Sequence, residues 1–288
     1  MTTTQSIPHS PPAIPGSTRA IAFIGGGNMA RSLIGGLLAK GAAAHRVRVA
    51  EPVAELRDAL ARDFGVAVFD NASDAVAGAA LWLLAVKPQV MRQVCNDLSA
   101  VAQASKPLVV SIAAGITATQ MQRWLGGENA IVRAMPNTPA LLGAGVTGLY
   151  ATAHVSQAGR NEVEGLLAAA GKTVWIDDES LMDAVTAVSG SGPAYVFLLA
   201  EAMEAAAKTQ GLDDAAARTL VLQTILGAAR MLTESDEAPA ELRKRVTSPN
   251  GTTQAAIETF QQGRFEQLVA QAIAAASERG TQLSAAND

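Results

Sequence analysis

Val246-Thr247-Ser248-Pro249-Asn250-Gly251-Thr252-Thr253 surrounds a Pro-Asn-Gly turn with hydroxyl side chains, immediately before a helical pattern. Proline fixes φ and Asn-Gly tolerates the left-handed region, so a tight turn is expected here. Thr252-Thr253-Gln254-Ala255-Ala256-Ile257 then opens a helix that runs to a stop at Gly263. A helix start of this kind offers unpaired backbone N–H groups and a partial positive charge, which suit a carboxylate or a phosphate. The same residues also make an ordinary helix cap. What else the chain carries decides between the two.

A second segment with chemical content lies near the other end. Phe23-Ile24-Gly25-Gly26-Gly27-Asn28-Met29-Ala30 follows an apolar run and opens a helical one, and it matches G-x-G-x-x-A. In strand-turn-helix context Gly25 permits the tight turn and Gly27 lets backbone approach a pyrophosphate. Ala30 allows close helix–strand packing. Ile24 to Met29 are therefore expected to cradle a dinucleotide. The next strand ends at Glu51, where an acid receives ribose hydroxyls and favours NAD, while Arg57 or Arg46 can accommodate the 2′-phosphate of NADP. NADPH and NADH both remain open. Ala85-Val86-Lys87-Pro88-Gln89 ends a later strand and should face the same cofactor edge, as should Ala114 within Ser111–Gly115. Arg133–Pro139 ends another strand in the same manner.

These motifs need a scaffold, and the hydrophobic pattern supplies one. From Ala20 to Asp178 short apolar runs alternate with helical spacing, which predicts an α/β, Rossmann-type domain with a mainly parallel sheet covered on both faces. From 179 to 288 only helical patterns remain: Leu181–Val188, Ala194–Gln210, Ala215–Leu232, Ala240–Val246, Thr252–Gln262 and Phe265–Glu278. The long, Ala-rich, apolar stretch from Ala194 to Leu232 exceeds what one surface helix needs and predicts an all-α domain that packs on a partner subunit. Residues 1–19, rich in Pro, Ser and Thr, are expected to form a flexible tail without the apolar region of a secretory signal.

Composition narrows the function classes. The 288 residues are 49% hydrophobic and 17% charged, with net charge −4, so a globular protein with a large core is expected and nucleic acid is not a main partner. Cys95 is the single cysteine and His9, His45 and His154 are scattered, which argues against a disulfide framework and a metal cluster. No apolar run reaches a bilayer span, so no membrane partner is expected and the reducing cytoplasm is the expected compartment.

Taken in order, Phe23–Ala30, Ala85–Gln89, Ser111–Gly115, Arg133–Ala140, Ala187–Tyr195 and Val246–Thr253 resemble the pyrroline-5-carboxylate reductase family. The resemblance implies reduction of L-1-pyrroline-5-carboxylate to L-proline with NADPH or NADH. It also implies dimers of interleaved helical domains, often gathered into larger homo-oligomers. The substrate carboxylate would sit on Ser248, Asn250, Gly251 and Thr252, between the helical domain of one subunit and the cofactor domain of another. Thr253 would hydrogen-bond the ring nitrogen and act as the catalytic residue, and Asp236 falls where some members carry an acid near the substrate. One departure is Asn250, where the family commonly has glycine; Asn is the residue most at ease there after Gly. A β-hydroxyacid dehydrogenase would carry a catalytic Lys in a G-x-x-G-x-G-x-x-x-K motif, but after Ser189–Pro193 no Lys occurs before Lys208. A non-catalytic nucleotide sensor would have no use for the anion turn.

Overall fold

The computed structural model describes residues 19–287. The predicted tail therefore lies outside the described residues except for Arg19. The described residues form two compact units, one of residues up to 190 together with those from 276 on, the other of residues 191–275.

The first unit is built on β1 (Ala20–Ile24), α1 (Asn28–Ala39), β2 (Val47–Ala50), α2 (Ala54–Phe64), β3 (Ala67–Phe69), α3 (Ala72–Val76) and β4 (Ala79–Leu84). It continues through α4 (Pro88–Ser105), β5 (Leu108–Ser111), α5 (Ala118–Trp124), β6 (Ala130–Met135), β7 (Gly145–Ala151), α6 (Gln157–Leu167), β8 (Gly171–Trp175) and α7 (Met182–Val185). One eight-stranded sheet runs in the order β3-β2-β1-β4-β5-β6-β7-β8. The first six strands pair in parallel; β7 is antiparallel to β6 and parallel to β8.

Strand alternation sorts the core into two layers. Phe23, Val49, Leu81, Leu83, Val110 and Val132 face one side, where Leu33, Ile34, Leu37, Leu60, Val163 and Leu167 of the helices cover them. Ala22, Ile24, Trp82, Leu84, Val109 and Ile131 face the other, against Met91, Cys95, Leu98 and Met121. Burying each of the larger side chains contributes about 1.5–3 kcal/mol, so the near-continuous apolar strands are explained by burial on both faces. In register Ile24 lies between Ala50 and Leu84. Strand order reverses at β1, which places the glycine-rich turn at the crevice where parallel sheets bind ligands.

Some expectations are adjusted. Leu181–Val188 is not one helix: a 3-10 turn at Glu179–Leu181 leads into α7 and then a π turn over Thr186–Gly190. Thr186 and Ser189 hydroxyls donate to the carbonyls of Met182 and Val185, four residues back, an arrangement that bends helices. The short α3 and a 3-10 turn at Thr138–Leu142 are further elements that the pattern did not distinguish.

The second unit contains α8 (Gly192–Thr209), α9 (Asp214–Glu234), α10 (Pro239–Arg245), α11 (Thr252–Gln262) and the first part of α12 (Phe265–Ala286). Of these five helices only Ala217, Val221 and Leu242 are buried. The end of α12 belongs to the first unit, where Thr281 donates to Asp183 and Gln120 donates to the Ser284 carbonyl. These contacts carry the helix past Gly280 and beyond its expected end at Glu278. The division at 178/179 expected from the sequence marks where strands cease; the compact units divide twelve residues later, because α7 packs against β7. Among the described residues no helix is long and apolar enough to cross a membrane.

Candidate active site

The glycine-rich turn is fixed from three sides. Gly25 has φ 101°, its N–H donates to the Ala50 carbonyl at 2.9 Å, and a Cβ there would stand 2.6 Å from the Ala85 carbonyl oxygen. Gly26 donates its N–H to Glu51 Oε2 at 2.9 Å. Gly27 caps α1 without a side-chain hydrogen bond, and a Cβ built on it meets nothing within 4 Å. Backbone N–H groups at Gly27, Asn28 and Met29 stand at the open helix start, where no intrahelical acceptor reaches them. Gly27 and Asn28 are exposed beside buried Ala30, so the helix start is open, the kind of backbone surface that suits a pyrophosphate.

Glu51 is 7% exposed, and its second oxygen accepts the Val53 N–H at 3.0 Å. Its carboxylate is a brace between the glycine turn and the end of β2, with lone pairs remaining for a ribose hydroxyl. Arg57 donates to the Glu51 and Pro52 carbonyls, which holds a guanidinium at the carboxyl end of β2. Arg46 does not share that edge. It precedes β2 and donates to the Arg19 carbonyl before β1, at the amino ends of the strands.

The other predicted segments converge on the same edge. Ala85 donates its N–H to the Ile24 carbonyl at 2.8 Å, and Ile112 donates to Leu84. Ala85 and Val86 are half-buried, Lys87 is an exposed cap of α4, and Pro88 occupies the first helical position. Ala114 is half-buried on the loop that follows β5. Beyond β6, Asn137 bridges two segments: Nδ2 donates to the Ser189 carbonyl and Oδ1 accepts the Val146 N–H. Arg133 donates to Glu179 Oε1 at 2.7 Å, and the same oxygen accepts the Ala118 N–H at 2.6 Å. Neither bridge was signalled by sequence spacing, because each joins residues distant along the chain.

In the second unit, Gly251 donates its N–H to the Ser248 carbonyl at 3.0 Å and Asn250 has φ 60°. With Pro at the second position and a left-handed residue at the third, this is a type II turn. Gly251 is the cap of α11 and provides no side-chain hydrogen bond. The Asn250 N–H is taken by Gln254 Oε1 at 2.7 Å. Asn250 and Gly251 therefore spend their backbone donors inside the turn, whereas the N–H groups of Thr252, Thr253 and Gln254 have no intrahelical acceptor. Among the described residues, no hydrogen bond engages the Ser248, Thr252 or Thr253 hydroxyls. Asp236 is exposed in the loop before α10, and its neighbour Glu237 pairs with Arg245 at the end of that helix, next to Val246.

A glycine-rich turn at the switch point of a parallel sheet, with a second helix start whose N–H donors are open, is the arrangement of a dinucleotide-dependent oxidoreductase. Residues 179–283 match a family described as pyrroline-5-carboxylate reductase dimerisation, and 20–115 match one described as NADP oxidoreductase, coenzyme F420-dependent. The chain belongs to the pyrroline-5-carboxylate reductase family: it transfers hydride from NAD(P)H to the imine carbon of L-1-pyrroline-5-carboxylate, giving L-proline. It is 54% identical over 270 residues to the Pseudomonas aeruginosa pyrroline-5-carboxylate reductase, covering 93% of this chain and 98% of that one. The solved Coxiella burnetii reductase superposes with TM-score 0.89 at 40% identity, over 93% of this chain and 99% of the other. A Plasmodium falciparum pyrroline carboxylate reductase with NADP bound gives TM-score 0.81 at 27% identity, over 93% and 98%.

Proposed function

We propose that the Ser248–Thr253 turn receives the substrate carboxylate and that Thr253 holds the imine nitrogen. The observation that carries this is the set of unengaged donors at the start of α11: three backbone N–H groups and the hydroxyls of Ser248, Thr252 and Thr253. Asn250 and Gly251 shape the turn that aims those donors. The carboxylate anchors the ring, and a hydrogen bond from or to Thr253 orients the nitrogen, so that the adjacent carbon presents one face. A protonated imine needs no further side-chain acid. Asp236, on the exposed loop before α10, is the acid proposed to lie near the substrate and favour that protonated form.

When bound, NADPH or NADH supplies the hydride. Ile24 to Met29 cradle its pyrophosphate, Glu51 and Arg57 border its adenosine ribose, and Ala85, Val86, Lys87, Pro88 and Ala114 line its path along the strand ends. Residues 20–178 act as the cofactor domain and 179–288 as the substrate-binding and dimerisation domain. The homodimer joins into a larger homo-oligomer and works in the cytoplasm, with no nucleic-acid or membrane partner. Thr253→Ala is expected to lower kcat/KM about tenfold or more, the scale of about 1.5–3 kcal/mol for one hydrogen bond to a charged group. Steady-state oxidation of NAD(P)H with varied pyrroline-5-carboxylate measures this, and unchanged kinetics would remove Thr253 from the mechanism.

A further inference from the structure

We propose that Gln254 and Glu258 form a clamp that holds the Ser248–Thr253 turn ready for the substrate carboxylate, with Gln254 as its positioning residue. Within the single chain the turn is exposed at Ser248, Pro249 and Asn250, so burial against the chain's own residues does not hold it. Asn250 has φ 60°, a conformation an asparagine tolerates but does not keep by preference. Something has to select it.

The selecting contacts are two hydrogen bonds of 2.7 Å. Gln254 Oε1 accepts the Asn250 N–H, and Gln254 Nε2 donates to Glu258 Oε1. The orientation of the amide is unambiguous: a backbone N–H can only donate, and a carboxylate can only accept. Gln254 is the third residue of α11, the place from which a capping box reaches back to the cap N–H. Here that N–H, on Gly251, is already taken by the Ser248 carbonyl, so the side chain reaches one residue further and fixes Asn250. Glu258, one helical turn on, holds the amide from behind.

This arrangement has a charge logic. A glutamate at 254 would keep an acceptor for the Asn250 N–H, but it would put a negative charge beside the anion site and beside Glu258. A neutral amide accepts from the turn, donates to Glu258 and leaves the helix start positive for the carboxylate. Preorganisation of the turn then lowers the ordering cost of binding the carboxylate; the Gln254 side chain acts through the turn, while its backbone N–H is one of the donors at the helix start.

The inference rests on the proposed carboxylate site, and full-length variants separate the two. Initial rates are measured with varied L-1-pyrroline-5-carboxylate at saturating NAD(P)H and the reverse, alongside melting temperature. Gln254→Leu is expected to raise the pyrroline-5-carboxylate KM about five- to tenfold, the scale of one lost neutral hydrogen bond. Gln254→Glu should raise it further. Glu258→Ala should give a smaller rise, and Glu258→Gln, whose amide oxygen still accepts, should stay near the parent value. Cofactor KM, kcat and melting temperature should move less than about twofold or a few degrees, since the clamp touches neither the cofactor unit nor a buried core. An unmoved substrate KM in Gln254→Leu, a Gln254→Glu variant that binds no worse than Gln254→Leu, or a cofactor KM that rises in step would overturn the clamp. Thr253→Ala measured alongside separates the two: unchanged substrate kinetics in that variant would instead overturn the site on which the clamp acts.

Discussion

Gly25 and Gly27 stand two residues apart in one turn, yet a side chain at each would meet a different obstacle. At Gly25 a Cβ would press on the Ala85 carbonyl in a backbone with φ 101°, so Gly25→Ala is expected to cost about 2–3 kcal/mol and lower the melting temperature. At Gly27 a Cβ enters open space, so Gly27→Ala should fold as the parent does and raise the KM for NAD(P)H about tenfold, by crowding the pyrophosphate. Paired thermal melts and cofactor titrations check this; equal stability loss in both variants would contradict the cradle. These glycines were legible in the sequence because the turn they form constrains residue type directly. The role of Glu51 was only half legible. Its place at a strand end follows from the apolar run before it, but its bonds to the Gly26 and Val53 N–H groups appear only in three dimensions. Gln254 was hidden for a related reason: its reach to Asn250 depends on Gly251 being occupied by Ser248.

Helices α8 and α9 show what a single chain leaves unfinished. Phe197 is 67% exposed, Leu198 66%, Leu220 55% and Leu226 53%, on elements too apolar to face water in the working protein. The family matched at 179–283 is described by dimerisation, and we propose that this surface is the face a second copy covers. Leu198→Glu places a charge on that face and is expected to shift sedimentation toward monomer with at least tenfold loss of reductase activity, while cofactor binding by the first unit persists. A fully active dimer would contradict the assignment. Long strands and helices were legible from the sequence because each carries enough apolar positions to reveal its period. The five-residue α3 and the π turn at Thr186–Gly190 were not, since so short a segment holds little more than one turn of pattern. The end of α12 escaped as well. Gly280 reads locally as a stop, and only its contact with Asp183 shows why a glycine suits the helix interior there.

At the scale of the molecule the glycine-rich turn at Gly25–Ala30 and the turn at Ser248–Thr253 reside in separate compact units, so the proposed cofactor and carboxylate sites belong to different parts of the chain. That split was legible as a change from alternating strands and helices to helices alone. Its position along the chain was less so, because α7 packs with the sheet and the chain returns there after residue 275. If the turn of one subunit serves the cradle of another, assembly is a condition of catalysis rather than only a source of stability. The direct test is a crystal structure of the assembled enzyme with NADPH and a saturated proline analogue. The account predicts the analogue's carboxylate on the N–H groups of Thr252, Thr253 and Gln254, with the Ser248 hydroxyl beside it and Thr253 Oγ1 on the ring nitrogen. A carboxylate bound elsewhere, with the start of α11 facing only solvent, would contradict it.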